Sequence, residues 1–212
     1  MNKCDAAFKK AILQKCYDAL ERAGFTRFAK EAVDWPISEA FHCWVGLNTG
    51  LYADRIELTP FVGVHAVEIE RLVAAVKGRK YDRRVATYAV AMGELAGARD
   101  VPAFAFSPNQ SDGFIESETK RLSDLFVELG VEYARSIASY GALLPKLQDR
   151  IDMLGNFPER VACCLYLTGQ LEQAEEFTRR FRSEEPEYLM FLLTPSCGRL
   201  ASTWGVTRAR TD

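Results

Sequence analysis

The sequence lacks any uninterrupted apolar run near the roughly 18 residues that a membrane-spanning helix needs, so no transmembrane segment is expected. Its first fifteen residues place a charge every few positions and hold no apolar block, which argues against a signal peptide and for a cytoplasmic chain. Neither sign of charge dominates. Lys and Arg number 27 against 29 Asp and Glu, and the formal charge is −2. That balance excludes a general nucleic-acid binder with a basic surface. Fourteen Gly and 8 Pro are too few for a collagen-like or disordered chain. Histidine is scarce, with His42 and His65 the only two. The local signatures of common enzymes are absent too: no G-x-x-x-x-G-K-[ST], G-x-G-x-x-G, H-E-x-x-H or G-x-S-x-G occurs.

The chain instead has 212 residues, 48% of them hydrophobic, enough for one large domain or two small ones with a packed core. Its six cysteines, at 4, 16, 43, 163, 164 and 197, form no C-x-x-C pair, so zinc-ribbon and thioredoxin readings lack their main feature. Buried thiols acting as small hydrophobes account for them best. No metal and no cofactor is expected.

Helical spacing of Ala7, Phe8, Ile12, Cys16, Leu20 and Ala23 predicts a helix over 4–23 that stops at Gly24. Strand patterns follow at 26–32, 37–47 and 55–65. In the second, Phe41, Cys43, Val45 and Leu47 alternate with His42, Trp44 and Gly46. Asn48-Thr49-Gly50 is expected to turn this strand into the third, where Pro60 suggests an edge, a bulge or a break. A helix over 66–77, strands over 84–92 and 101–106, and a turn over 107–113 complete the first half. From 118 the pattern is helical, with Pro145 expected to break or kink it. A helical hairpin around Gly169 then covers 159–183. Up to Asn109 basic residues exceed acidic by two, and from Gln110 acidic exceed basic by four. The expected architecture is α+β: an antiparallel sheet of about four to five strands with packed helices over 1–109, then a helical region over 110–212 that could share the same core.

Three features are candidates for function. Asp124, Glu128 and Glu132 lie at i, i+4 and i+8, where like charges cost a few tenths of a kcal/mol each in an isolated helix (about 0.2–0.5). They form a candidate surface for a basic partner, or else an ordinary solvated face. Trp35, before Pro36, is expected in a loop and is the aromatic residue picked as a partner contact. Cys43, with His42 or His65, offers an assembled thiol site for a hydrolase or transferase, with His65 reaching Cys43 across a hairpin.

Two resemblances add to this reading. Gly169, Ala174 and Pro186 keep the spacing of the second half of a tetratricopeptide repeat, so 158–186 resembles one such hairpin. A lone repeat cannot build the stacked groove that binds peptides. The helix ending in Gly24-Phe25, followed by Trp44-Val45-Gly46 and Leu58-Thr59-Pro60-Phe61-Val62-Gly63, resembles small bacterial α+β domains over residues 5–106. That group includes immunity proteins of toxin–immunity pairs. The resemblance implies a non-enzymatic protein that binds a cognate toxin and occludes its active site, and the acidic stripe at Asp124, Glu128 and Glu132 would then meet a basic contact surface on the toxin. It carries over no functional residue. An accessory protein of a phage or host, binding some other partner, is the blander expectation.

Overall fold

A computed structural model describes residues 4–95, 103–151 and 158–184. Helix α1 (Ala6–Arg22) begins where the Asp5 carboxylate accepts from the Phe8 N–H at 2.8 Å. It ends at Gly24, whose φ of +106° only glycine adopts without strain. Ile12, Leu13, Cys16, Tyr17 and Leu20 form its buried stripe.

The strands β1 (Thr26–Ala29), β2 (Ala32–Pro36), β3 (Phe41–Leu51), β4 (Ile56–Ala66), β5 (Tyr88–Ala91) and β6 (Phe104–Phe106) form one antiparallel sheet. Its order is β1-β2-β3-β4-β5, with β6 also on β4. The fold is α+β, as the pattern predicts. Three local expectations are corrected. The segment 26–36 is a hairpin of two strands, so Trp35 lies in β2 and not in a loop. Asn48-Thr49-Gly50 continues β3, paired with Thr59, Leu58 and Glu57, and the turn falls at 52–55. Long cross-strand pairing outweighs the turn preference of a three-residue run. Pro60 interrupts nothing in β4. On one side it pairs with Leu47, and on the other it falls between the stretches held by β6 (56–58) and β5 (61–64), where no ladder bond is required of it.

Strand alternation gives the sheet two unlike faces. Val33, Cys43, Val45, Leu58, Val62, Val64, Val90, Phe104 and Phe106 point to one face and are buried. Asp34, His42, Trp44, Phe61, Gly63 and His65 point to the other. The apolar face is covered by helix α4 (Asp112–Leu125), a π-helical turn over Phe126–Gly130 and helix α5 (Val131–Ile137). Phe126 meets Phe25 edge-to-face, and Gly130 lets the backbone approach Val62, where a Cβ would lie 3.1 Å from its Cγ2.

Helix α2 (Val67–Val76) follows β4 directly, and the four-residue α3 (Met92–Leu95) follows β5. Helix α6 (Tyr140–Asp149) accommodates Pro145 inside it. The chain breaks earlier, at Ala138, and Ser139 caps the new helix by accepting from the Ala142 N–H at 3.2 Å. Helices α7 (Pro158–Leu167) and α8 (Leu171–Glu184) form the expected hairpin, with Gly169 at φ +77° between them.

The chain forms two compact units whose limits do not follow the turn at 107–113. Among the described residues, one comprises 4–67, 83–95 and 103–143, so the helices over 112–137 belong with the sheet. The other comprises 68–82, 144–151 and 158–184. Inside the second unit, Glu70 of α2 and Arg160 of α7 form a buried ion pair (2.7 Å), and Lys77 meets Glu159 at 2.8 Å.

Candidate functional site

The thiol site anticipated around Cys43 does not form. His42 pairs with His65 across β3 and β4, and Cys43 pairs with Val64, so the two imidazoles share one face of the sheet and the thiol lies on the other. Cys43 is fully buried, and its S–H faces the Gly130 carbonyl at 3.9 Å. Burial pushes this thiol up to about 12, with Asp34 adding to the effect and Arg135 opposing it. Burial likewise pushes Cys16 to about 12 and Cys164 to about 11. A thiolate nucleophile needs the opposite setting, electropositive and partly exposed. We therefore expect iodoacetamide at pH 7.5 to label Cys16, Cys43 and Cys164 far more slowly in the folded protein than in urea. Labelling of Cys43 as fast as a small-molecule thiol would contradict this placement. Cys197 lies outside the described residues.

The imidazoles belong to a different constellation. Asp34 is 2% exposed and accepts two bonds from Arg83, from Nε at 2.7 Å and from Nη2 at 3.0 Å. The fork geometry makes this a strong, charge-assisted pair. Arg83 Nη2 also lies 3.2 Å from His42 Nδ1. Guanidinium only donates, so Nδ1 accepts and the proton of neutral His42 sits on Nε2. The guanidinium lies 4.7 Å over the Phe28 ring. His65 Nδ1–H donates to the Val85 carbonyl at 2.7 Å. With His42 accepting from Arg83 and the Asp34 carboxylate gripped by the same guanidinium, the cluster ties the segment around Arg83 to the sheet.

The sequence-derived partner contacts are scattered. Trp35 packs edge-to-face on Phe25 at 5.4 Å and closes over Gly24. Asp124 pairs with Lys120 at 2.5 Å and Glu132 with Arg135 at 2.6 Å, so two stripe carboxylates carry a basic neighbour on their own helix. Glu128 is exposed on the π-helical turn. That turn changes the spacing from which the stripe was read.

A surface that the sequence reading passed over lies where the β3–β4 hairpin ends. Leu51 and Tyr52 are 49% and 47% exposed, and Phe114 in the first turn of α4 is 44% exposed. The Arg55 guanidinium lies 4.7 Å over the Tyr52 ring and donates to Glu57 at 2.7 Å. Beside the hairpin, Asp54, Arg55, Ala105, Phe106, Ser107, Asn109 and Gln110 line an open cavity of about 260 Å³. Pairing of Ile56 with Phe106 brings the loop before α4 to this end, and the Cys4 N–H to Ala53 carbonyl bond (3.3 Å) brings the start of α1. Carboxylates border it. Asp5 and Asp54 are exposed, and Asp112 pairs with Lys15 at 2.8 Å. The one sequence signal was the turn chemistry of Ser107–Gly113. An expected turn at 48–50 conceals the tip residues, because the structure turns at 52–55 instead.

Among the described residues no group of three or more His, Cys, Asp or Glu is arranged to hold a metal ion, and no helix is long and apolar enough to cross a membrane. No protein-family model, no curated protein and no solved structure matches the chain.

Proposed function

We propose that this chain works by binding another protein, and in its most specific form that it is an immunity protein that neutralises a cognate bacterial toxin by covering the toxin's active site. The observation that carries this reading is the hairpin end, where the neighbouring Leu51 and Tyr52 stand nearly half exposed next to the open cavity that Asp54 and Arg55 help to line. Water-exposed apolar groups gathered at one place mark interaction sites, whereas single ones scattered over a surface do not. Tyr and Arg are enriched among residues that dominate binding energy, and Tyr52 and Arg55 are stacked together here. The exposed carboxylates of Asp5, Asp54, Glu128 and Glu132 set a negative field that suits a partner with a basic contact surface, with Arg55 and Arg135 offsetting Asp54 and Glu132. Such a field chiefly raises the on-rate and the specificity. The thiol-enzyme alternative has lost its geometry, since Cys43 and the histidines face apart.

The test is affinity capture of the tagged protein from its native lysate at low salt, with the eluate identified by mass spectrometry. A stoichiometric partner that arrests growth when expressed alone, and is silenced by co-expression of this chain, is the expected result. Recovery of the bait alone would overturn the binding reading. A partner without toxicity would leave binding standing and overturn the immunity form, in favour of an accessory protein.

A further inference from the structure

Residues 83–87 cross the polar face of the sheet without strand or helix structure of their own, and Arg84 and Val85 are exposed. The segment is held by bonds to side chains of the sheet. Arg83 grips Asp34, the Trp44 indole N–H donates to the Arg84 carbonyl at 2.7 Å, and His65 Nδ1–H donates to the Val85 carbonyl. At its far end Thr87 N–H donates to the Val64 carbonyl and its Oγ1 accepts from the Ala66 N–H, both at 2.8 Å. A segment exposed at its middle and held there by single hydrogen bonds belongs to the low-stability end of a fold.

We propose that this strap is a pH-operated latch, docked on the sheet while His42 is neutral and released when His42 takes a proton. The geometry sets the direction. In the docked state Nδ1 accepts from Arg83. A proton there sets donor against donor and cation against cation at that contact. Asp34 Oδ2 lies 3.5 Å from Nδ1, so a protonated His42 also draws on the carboxylate that holds Arg83. The groups facing His42 are Asp34 from β2, Arg83 from the strap itself and His65 from β4.

Burial is the largest influence on His42 and lowers it below the ordinary imidazole value of 6.5. Asp34 opposes this, while Arg83 and His65 reinforce it. A base with a lowered value in the docked state favours docking fully above 6.5, and that preference is lost as the pH falls below it. The latch therefore holds at neutral pH and loosens on mild acidification.

The chain has two histidines and three tryptophans, so imidazole and indole NMR signals are few enough to follow singly. Trp44→Phe assigns the Trp44 indole. On acidification from pH 7.5 to 5.5, the Trp44 indole should shift with the same midpoint as the His42 imidazole, below 6.5. Exchange of the Thr87 amide, corrected for its intrinsic pH dependence, should rise severalfold over the same range, because a proton on His42 favours the released strap. His42→Asn keeps an acceptor near Nδ1 and cannot take a proton, and it should leave both signals flat. If that variant does not fold, the wild-type midpoints decide alone. An indole that stays unchanged to pH 5.5, or follows the His65 signal, or still titrates in His42→Asn, overturns the proposal.

Discussion

Replacing Arg160 with Met is expected to cost about 3–5 kcal/mol of stability, the usual result of removing one partner from a buried ion pair. The Arg160 and Glu70 side chains are 5% and 7% exposed, and two bonds join them, Nε to Oε1 at 2.7 Å and Nη2 to Oε2 at 3.3 Å. Methionine preserves much of the volume but leaves the Glu70 carboxylate without the guanidinium that offsets its desolvation. Little of the loss reflects a net gain from the pair itself, because two desolvated charges recover about what they cost. The double variant Glu70→Leu with Arg160→Met should therefore regain most of the loss. Urea denaturation followed by circular dichroism measures both. A single-variant loss below about 1 kcal/mol would mean that solvent reaches the pair.

Gly63→Ala should be more disruptive than any other glycine substitution in the sheet. A Cβ on Gly63 would lie 1.8 Å from the Tyr88 carbonyl oxygen and 2.6 Å from the Ala89 Cα. Those atoms are backbone of the neighbouring strand, so relief requires β5 to leave β4. Overpacking typically costs about 1–3 kcal/mol, and a backbone clash lies at or beyond the upper end. Gly46→Ala is the control. Its Cβ would meet the Trp44 ring at 2.3 Å, but a side chain can turn away at the loss of one hydrogen bond to Arg84. The expected order is a severe loss of folded protein for Gly63→Ala and a modest one for Gly46→Ala. Equal melting temperatures would contradict the close β4–β5 approach.

Much of the fold is legible in the sequence where the period is long and unbroken. Helix α1, the inward alternation of Phe41, Cys43 and Val45, and the α7–α8 hairpin follow from spacing alone. Local turn chemistry misleads where pairing is extended, as at Asn48–Gly50. The β1–β2 hairpin is missed because each strand is short and its residues are not strongly patterned. The π-helical turn has no signal in the apolar spacing of 122–137, and it alters the stripe that the spacing suggested.

The functional surfaces are harder to read for a different reason. Strand periodicity separates Cys43 from His42, yet whether His65 faces one or the other depends on a register that only the assembled hairpin fixes. The ties from Arg83 to Asp34 span 49 positions, and those from Arg84 to Trp44 span 40. No local pattern records them. The exposed tip depends on where the hairpin turns, so misplacing the turn by a few residues conceals Leu51 and Tyr52.

The central claim is that the hairpin end meets a protein partner, and its most direct test is calorimetric titration of the captured partner against two variants. Leu51→Ser with Tyr52→Ser removes the apolar tip. Asp124→Lys with Glu128→Lys and Glu132→Lys reverses the stripe. The account predicts that the tip variant weakens binding about 30-fold or more, as loss of a dominant contact does, at any salt concentration. It predicts a smaller, salt-dependent loss for the stripe variant, seen mainly in the on-rate. Full affinity in the tip variant would contradict it.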